Sequence, residues 1–188
     1  VLLSFVTLAA CQTALPGSGN TGQAVNPGAP VPVALLVPHG SGSPNEQKLA
    51  RDLESAARLA AADLSGVQID LRVYGTAGNA AQAQTAALNA VADGARIIVG
   101  PLHAESANAV AVAMAPKKVN VLAFSNNPTI AGGNLFILGQ TFQNTANRLT
   151  DYAVSQGKRR ILTVYSNNLA GQLGKQAIEQ AIAANGGT

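Results

Sequence analysis

The 188-residue sequence has one cysteine, no tryptophan, and only two histidines, His39 and His103. A single thiol excludes an intrachain disulfide framework and a cysteine-built metal cluster. A zinc site from the two histidines would need carboxylate ligands, and none is spaced suggestively beside them, so no metal is expected. Aromatics make up 4% of the chain and charged residues 11%, with a net charge of +3. The basic residues fall in short groups, Lys117-Lys118 and Lys158 to Arg160, each just ahead of a predicted strand. Nucleic-acid binding calls for a longer basic stripe with aromatics to stack on bases, so no nucleic-acid partner is expected. The loop Gly40-Ser41-Gly42-Ser43 lacks the lysine and spacing of a phosphate loop, and reads as a permissive loop at a strand end. No Gly-x-Ser-x-Gly elbow is present. With no catalytic constellation and no cofactor motif, the chain reads as a binder rather than an enzyme.

What is abundant is aliphatic. The hydrophobic fraction of 47% supplies a sizeable core and argues against disorder over most of the length. The first ten residues, Val1 to Ala10, are a mainly apolar run ending in small side chains, too short to span a bilayer and suited to a signal-peptide core and cleavage site. Leu8-Ala9-Ala10-Cys11 resembles the lipobox of bacterial lipoproteins, which implies lipidation of the Cys11 thiol and a membrane attachment through the acyl chains. The chain has no initiating Met and no basic residue ahead of the apolar run, so a leader is expected in front of it. Gln12 to Pro30, rich in Gly, Pro and short polar residues, reads as a flexible tether, because such a segment cannot bury enough area to offset its ordering entropy.

From Val31 onward, short apolar runs alternate with helical patterns, the mark of a parallel sheet with crossover helices. Strands are predicted at Val31–Val37, around Val67–Val73, at Arg96–Val99 and at Val121–Phe124, with a further short run at Leu135–Leu138. Helices are predicted from Pro44 to about Leu64, near Ala80–Ala92, over roughly Ala104–Ala115, and around Phe142–Ser155. A strand at Arg160–Tyr165 and a helix near Gly171–Ala184 then begin another unit, and the closing turn Asn185 to Thr188 should feed a further strand. The expected fold class is α/β, an open doubly wound parallel sheet.

Strand, Gly100-Pro101-Leu102, helix, then Val121–Phe124 and a polar turn resembles the leucine/isoleucine/valine-binding family of type I periplasmic binding proteins. The resemblance implies two lobes joined by a hinge with a ligand between them. Residues 1–30 would be signal and tether, 31–140 lobe one, and 141–188 the beginning of an incomplete lobe two. Open α/β sheets bind ligands beyond the carboxyl ends of their strands, which places His39 to Ser43, Gly75 to Asn79, Gly100 to Ser106 and Ser125 to Asn127 on one rim. The candidate cleft residues are His103, Ala104, Ser106, Ser125, Asn126 and Asn127. His103, at a helix entrance, could donate to a ligand or bond its own loop. Free N–H groups of the helix starting near Ala104 suit an anion, while Glu105 complements the helix dipole. Asn126 and Asn127 could line the cleft or form the turn before Pro128. Where amino-acid receptors of the family place a hydroxyl residue this chain has Ala104, and where they place an aromatic before a glycine it has Ala170-Gly171. The run Val121–Asn127 (VLAFSNN) resembles the lipoproteins called penicillin-binding-protein activators. That resemblance implies a periplasmic, lipid-anchored partner of a penicillin-binding protein or another envelope protein, supporting peptidoglycan synthesis. The alternative is the solute-binding receptor of an ABC transporter, holding a small amino-acid-like ligand for a permease.

Overall fold

The computed structural model describes residues 22–188; the apolar opening run, Cys11 and the first part of the tether lie outside the described residues. The first strand, β1 (Val31–Val37), is followed by α1 (Pro44–Asp63), β2 (Ile69–Gly75), α2 (Ala80–Ala92), β3 (Ile97–Val99), α3 (Ala104–Met114), β4 (Asn120–Ala123) and β5 (Leu135–Ile137). All five strands are parallel, in the order β2-β1-β3-β4-β5. β1 lies inside the sheet between β2 and β3 and is buried on both faces, which explains why its sequence is a continuous apolar run rather than an alternating one.

The two faces are covered by different helices. Ala34 and Leu36 of β1 join Ile98, Val121, Ala87 and Val110 in the larger core, under α2 and α3. Leu35 and Val37 point the other way and pack with Ala50, Leu53 and Ala57 of α1. Leu35, Leu36, Ile98 and Met114 are fully buried, each contributing roughly 1.5–3 kcal/mol of hydrophobic stabilisation. α2 and α3 meet through alanines: Ala83, Ala87, Ala90 and Ala107 have no exposed surface, so the helices approach closely and the core needs few large side chains.

The helix starts follow from their caps. Ser43, Asn79, Thr141 and Asn168 each accept a backbone N–H bond in the first turn of α1, α2, α4 (Phe142–Ser155) and α5 (Leu169–Ala184) respectively. α3 differs, since its N-cap residue His103 makes no such bond.

Beyond β5, α4 and α5 pack on each other through Ala146, Ala177 and Ala181, and Gln143 Nε2 donates to the Ala177 carbonyl at 3.3 Å. The strand expected at Arg160–Tyr165 does not form: residues 158–165 belong to no ladder. Ladder hydrogen bonds require a neighbouring strand, and among the described residues the segment finds none: its backbone pairs with the terminal Thr188, which accepts from Ile161 N at 2.8 Å and donates to Arg159 O at 2.7 Å. Leu162 and Val164 are accordingly 89% and 87% exposed. The second strand also starts later than expected, at Ile69 rather than Val67, and α5 starts earlier, at Leu169.

The described end of the stretch expected to be a flexible tether is held against the body. Gln23 donates to Lys117 O at 2.9 Å and accepts from Arg96 Nη1 at 2.6 Å, along the amino-terminal edge of the sheet. One long side chain bridging two groups on the body orders this stretch, which composition alone marks as a linker.

Candidate functional site

The order in which strands are added reverses between β1 and β3, where the chain leaves one strand toward α1 and the other toward α3. That reversal is a topological switch point, and the crevice outside the carboxyl ends of these strands is the expected ligand position. Two chain approaches shape it. Gly100, with φ of +89°, ends β3 so close to β1 that a Cβ would stand 2.2 Å from the Leu36 carbonyl oxygen. A Cβ at Gly75, ending β2, would stand 2.9 Å from the His39 carbonyl oxygen.

Both histidines lie on this rim, and both turn to α1. His39 Nε2 is 2.8 Å from Glu54 Oε2, and Glu54 also accepts from Arg58. His103 Nε2 is 2.9 Å from Glu46 Oε1, a close approach off the axis of an aligned hydrogen bond. The second Glu46 oxygen, Oε2, accepts the Ser41 hydroxyl. The Ser41 bond first, and then the His103 charge, hold the Glu46 carboxyl below its ordinary range. Glu54 is likewise lowered, by the His39 bond and then the Arg58 bond. Carboxylates therefore do accompany the two histidines, contrary to the sequence expectation. They do so as separate pairs, and among the described residues no group of three or more His, Cys, Asp or Glu side chains converges on a metal position.

The candidate cleft residues are dispersed in depth. His103 and Ala104 are half-buried at the start of α3 and reach the rim. Ser106 is 1% exposed and Ser125 4%, so neither hydroxyl faces open solvent in this arrangement. Ser125 Oγ accepts from Asn127 N at 3.1 Å and shapes the turn. Asn127 is a turn former: its Oδ1 accepts from both Thr129 N and Thr129 Oγ1. It also lines, with Asn126, a cavity of about 370 Å³ between this turn and the two later helices. Pro128, Phe142, Leu173 and Ala177 form its apolar wall, and Gln143, Gln176 and Gln180 supply further amides. Glu105 is exposed in the first turn of α3, where a carboxylate complements the helix dipole.

Sequence reasoning missed Glu46, Glu54 and the helix-borne wall of the cavity. A signal for Glu46 was present. Ser43-Pro44-Asn45-Glu46 has the Ser-x-x-Glu spacing of a capping box, and Ser43 Oγ does accept from Glu46 N. The return bond is absent, because Ser43 N donates to Ser41 Oγ instead, leaving the Glu46 carboxylate free to reach Ser41 and His103.

Comparison with known proteins agrees with this architecture. The family described as periplasmic binding protein matches residues 30–188. No curated protein matches the sequence. Among solved structures, an ABC transporter substrate-binding protein from Desulfitobacterium hafniense superposes with a TM-score of 0.65 at 20% identity, covering 85% of this chain and 49% of that one. A solute binding protein of an ABC transporter from Rhodopseudomonas palustris, in complex with 3,4-dihydroxybenzoic acid, gives 0.63 at 19% identity, covering 84% and 45%. A leucine binding protein from Thermotoga maritima gives 0.60 at 17%, covering 84% and 47%. The chain thus spans less than half the length of these structures.

Proposed function

The chain belongs to the periplasmic binding protein family, and from that premise we propose that it is the front part of a solute-binding receptor of an ABC transporter. The family implies a periplasmic location. Residues 31–140 serve as lobe one and residues 141–188 open lobe two, with Cys11 as the lipid attachment site and the residues up to 30 as its tether. The carrying observation is the cavity of about 370 Å³ that lobe-one residues Asn126 to Thr129 share with Phe142, Leu173 and Gln176 of the following helices. A pocket of this size, lined from both units and sharing Asn126 and Asn127 with the rim, suits a small molecule enclosed between lobes.

The activator reading rests on Val121–Asn127. In the structure those residues have structural occupations: Val121 and Ala123 are fully buried in the sheet, and Ser125 and Asn127 build the turn. Their pattern follows from packing and turn chemistry without a protein partner. The structural relatives, which are ABC transporter substrate-binding proteins, also favour the receptor.

Calorimetric titration of the full-length protein with amino acids, aromatic acids and their neutral amides tests the proposal. Saturable binding of one solute class at micromolar concentration is expected. A protein that binds no solute but captures a purified peptidoglycan synthase would refute the receptor in favour of the activator.

A further inference from the structure

The described half of the cleft contains no cation free to meet a ligand carboxylate. The four rim loops, residues 38–43, 76–79, 100–103 and 124–127, contain no Lys or Arg. Their two histidines are each engaged by a carboxylate of α1, His39 by Glu54 and His103 by Glu46. Glu54 is neutralised by Arg58, whereas Glu46 has only the Ser41 hydroxyl and the imidazole. The N-terminus of α3, which alone would suit an anion, has that resident carboxylate held beside its own N-cap side chain, and Glu105 adds a second negative charge in its first turn. All ten residues lining the adjoining cavity are uncharged. On the opening of lobe two, Lys175 is engaged by Glu179 and by the Tyr165 ring.

We propose that this cleft selects against carboxylates, and that its solute presents an uncharged amide or hydroxyl group to the switch-point rim and an apolar body to Phe142 and Leu173. The proposal rests on the receptor reading and narrows its solute class. A buried charge without a partner forfeits its hydration, and a carboxylate arriving beside Glu46 would meet a like charge in place of a donor. The amides of Asn126, Gln143, Gln176 and Gln180 offer both donors and acceptors to a neutral partner. Glu46 is here a specificity-determining residue acting by charge.

The test uses the full-length protein and paired probes of one skeleton: 4-hydroxybenzoate against 4-hydroxybenzamide, and N-acetyl-leucine against its amide, with binding followed by calorimetry and by NMR shift perturbation at millimolar concentration. The amide of at least one pair should bind roughly ten-fold tighter than its acid, about the scale of one like-charge contact screened almost as in bulk water. Glu46→Gln should narrow that gap by improving the acid alone, and Glu46→Ala should act in the same direction, with melting curves confirming that both variants fold. Tighter binding of the acid in wild type, or an acid affinity unmoved by both substitutions, overturns the proposal while leaving a receptor in place. Failure of every probe, together with the amino acids and aromatic acids of the broader titration, removes the receptor and the selectivity together.

Discussion

Replacing Gly100 by Ala should destabilise the protein far more than the addition of one methyl group suggests. Two costs add at this position. The backbone has φ of +89°, a region that penalises an L side chain by about 1–2 kcal/mol. The new Cβ would also stand 2.2 Å from the Leu36 carbonyl oxygen, where real contacts are essentially never under 3.0 Å. The ends of β1 and β3 must therefore part by about 0.8 Å or more. Leu36 is fully buried in an interior strand and cannot swing aside as an exposed side chain would. Stretching one or two adjacent hydrogen bonds costs about 1 kcal/mol each, which brings the total to roughly 2–4 kcal/mol and the fall in Tm to about 5–15 °C for a protein of this size. Gly42→Ala is the control, because nothing lies within 4 Å of the added Cβ and its φ is not in the left-handed region; its Tm should stay close to wild type. Thermal and urea unfolding of the three proteins side by side measure the difference. A Gly100→Ala protein melting within about 2 °C of the Gly42→Ala control would refute the account of how β3 is seated.

Two further outcomes are expected. Glu46 and Glu54 are both held below the ordinary carboxyl value of 4.5 in the folded protein, so the unfolded chain binds more protons in that range; their contribution is present above about pH 4.5 and is lost as pH falls through the lowered folded values. Melting temperatures from pH 7 to pH 3 should therefore drop less steeply below pH 4.5 for Glu46→Gln than for wild type, and parallel curves would dismiss the Ser41 and His103 contacts as stabilising. Cys11→Ala should move the protein from the membrane to the soluble periplasmic fraction on cell fractionation, since acyl chains anchor through about 0.8 kcal/mol per buried methylene; an unchanged distribution would exclude Cys11 as the attachment point.

Most of the fold was legible because its signals are local. Val31–Val37 declared a strand buried on both faces, and Ala80–Ala92 and Phe142–Ser155 emerged with the boundaries expected from caps and periodicity. Arg160–Tyr165 has equally strong strand chemistry and yet joins no ladder, since pairing depends on a neighbour that strand propensity does not supply. The site was legible only as a rim. Helix and strand ends can be placed from sequence, but Ser106 and Ser125 turned inward, and which side chains meet across loops is set by tertiary distance. His39 and Glu54, or Asn126 and Gln180, carry no mark in the sequence that they share a surface.

The loop Gly40 to Ser43 shows how much chemistry a seemingly permissive stretch can hold. A complete capping box would have bound Glu46 to the Ser43 N–H and fixed its carboxylate at the start of α1. Ser41 takes that N–H instead, at 3.1 Å, and donates its own hydroxyl to Glu46. Ser43 still caps the helix through Glu46 N, so the diversion keeps the cap and delivers a negative charge across the switch point to His103. The glycines complete the arrangement. Gly40 turns the chain at φ of +85°, and at Gly78 a Cβ would stand 2.5 Å from Glu46 Oε2. Small residues in both loops thus leave room for one carboxylate, and the proposed selection against acids depends on that charge staying where Ser41 and His103 hold it.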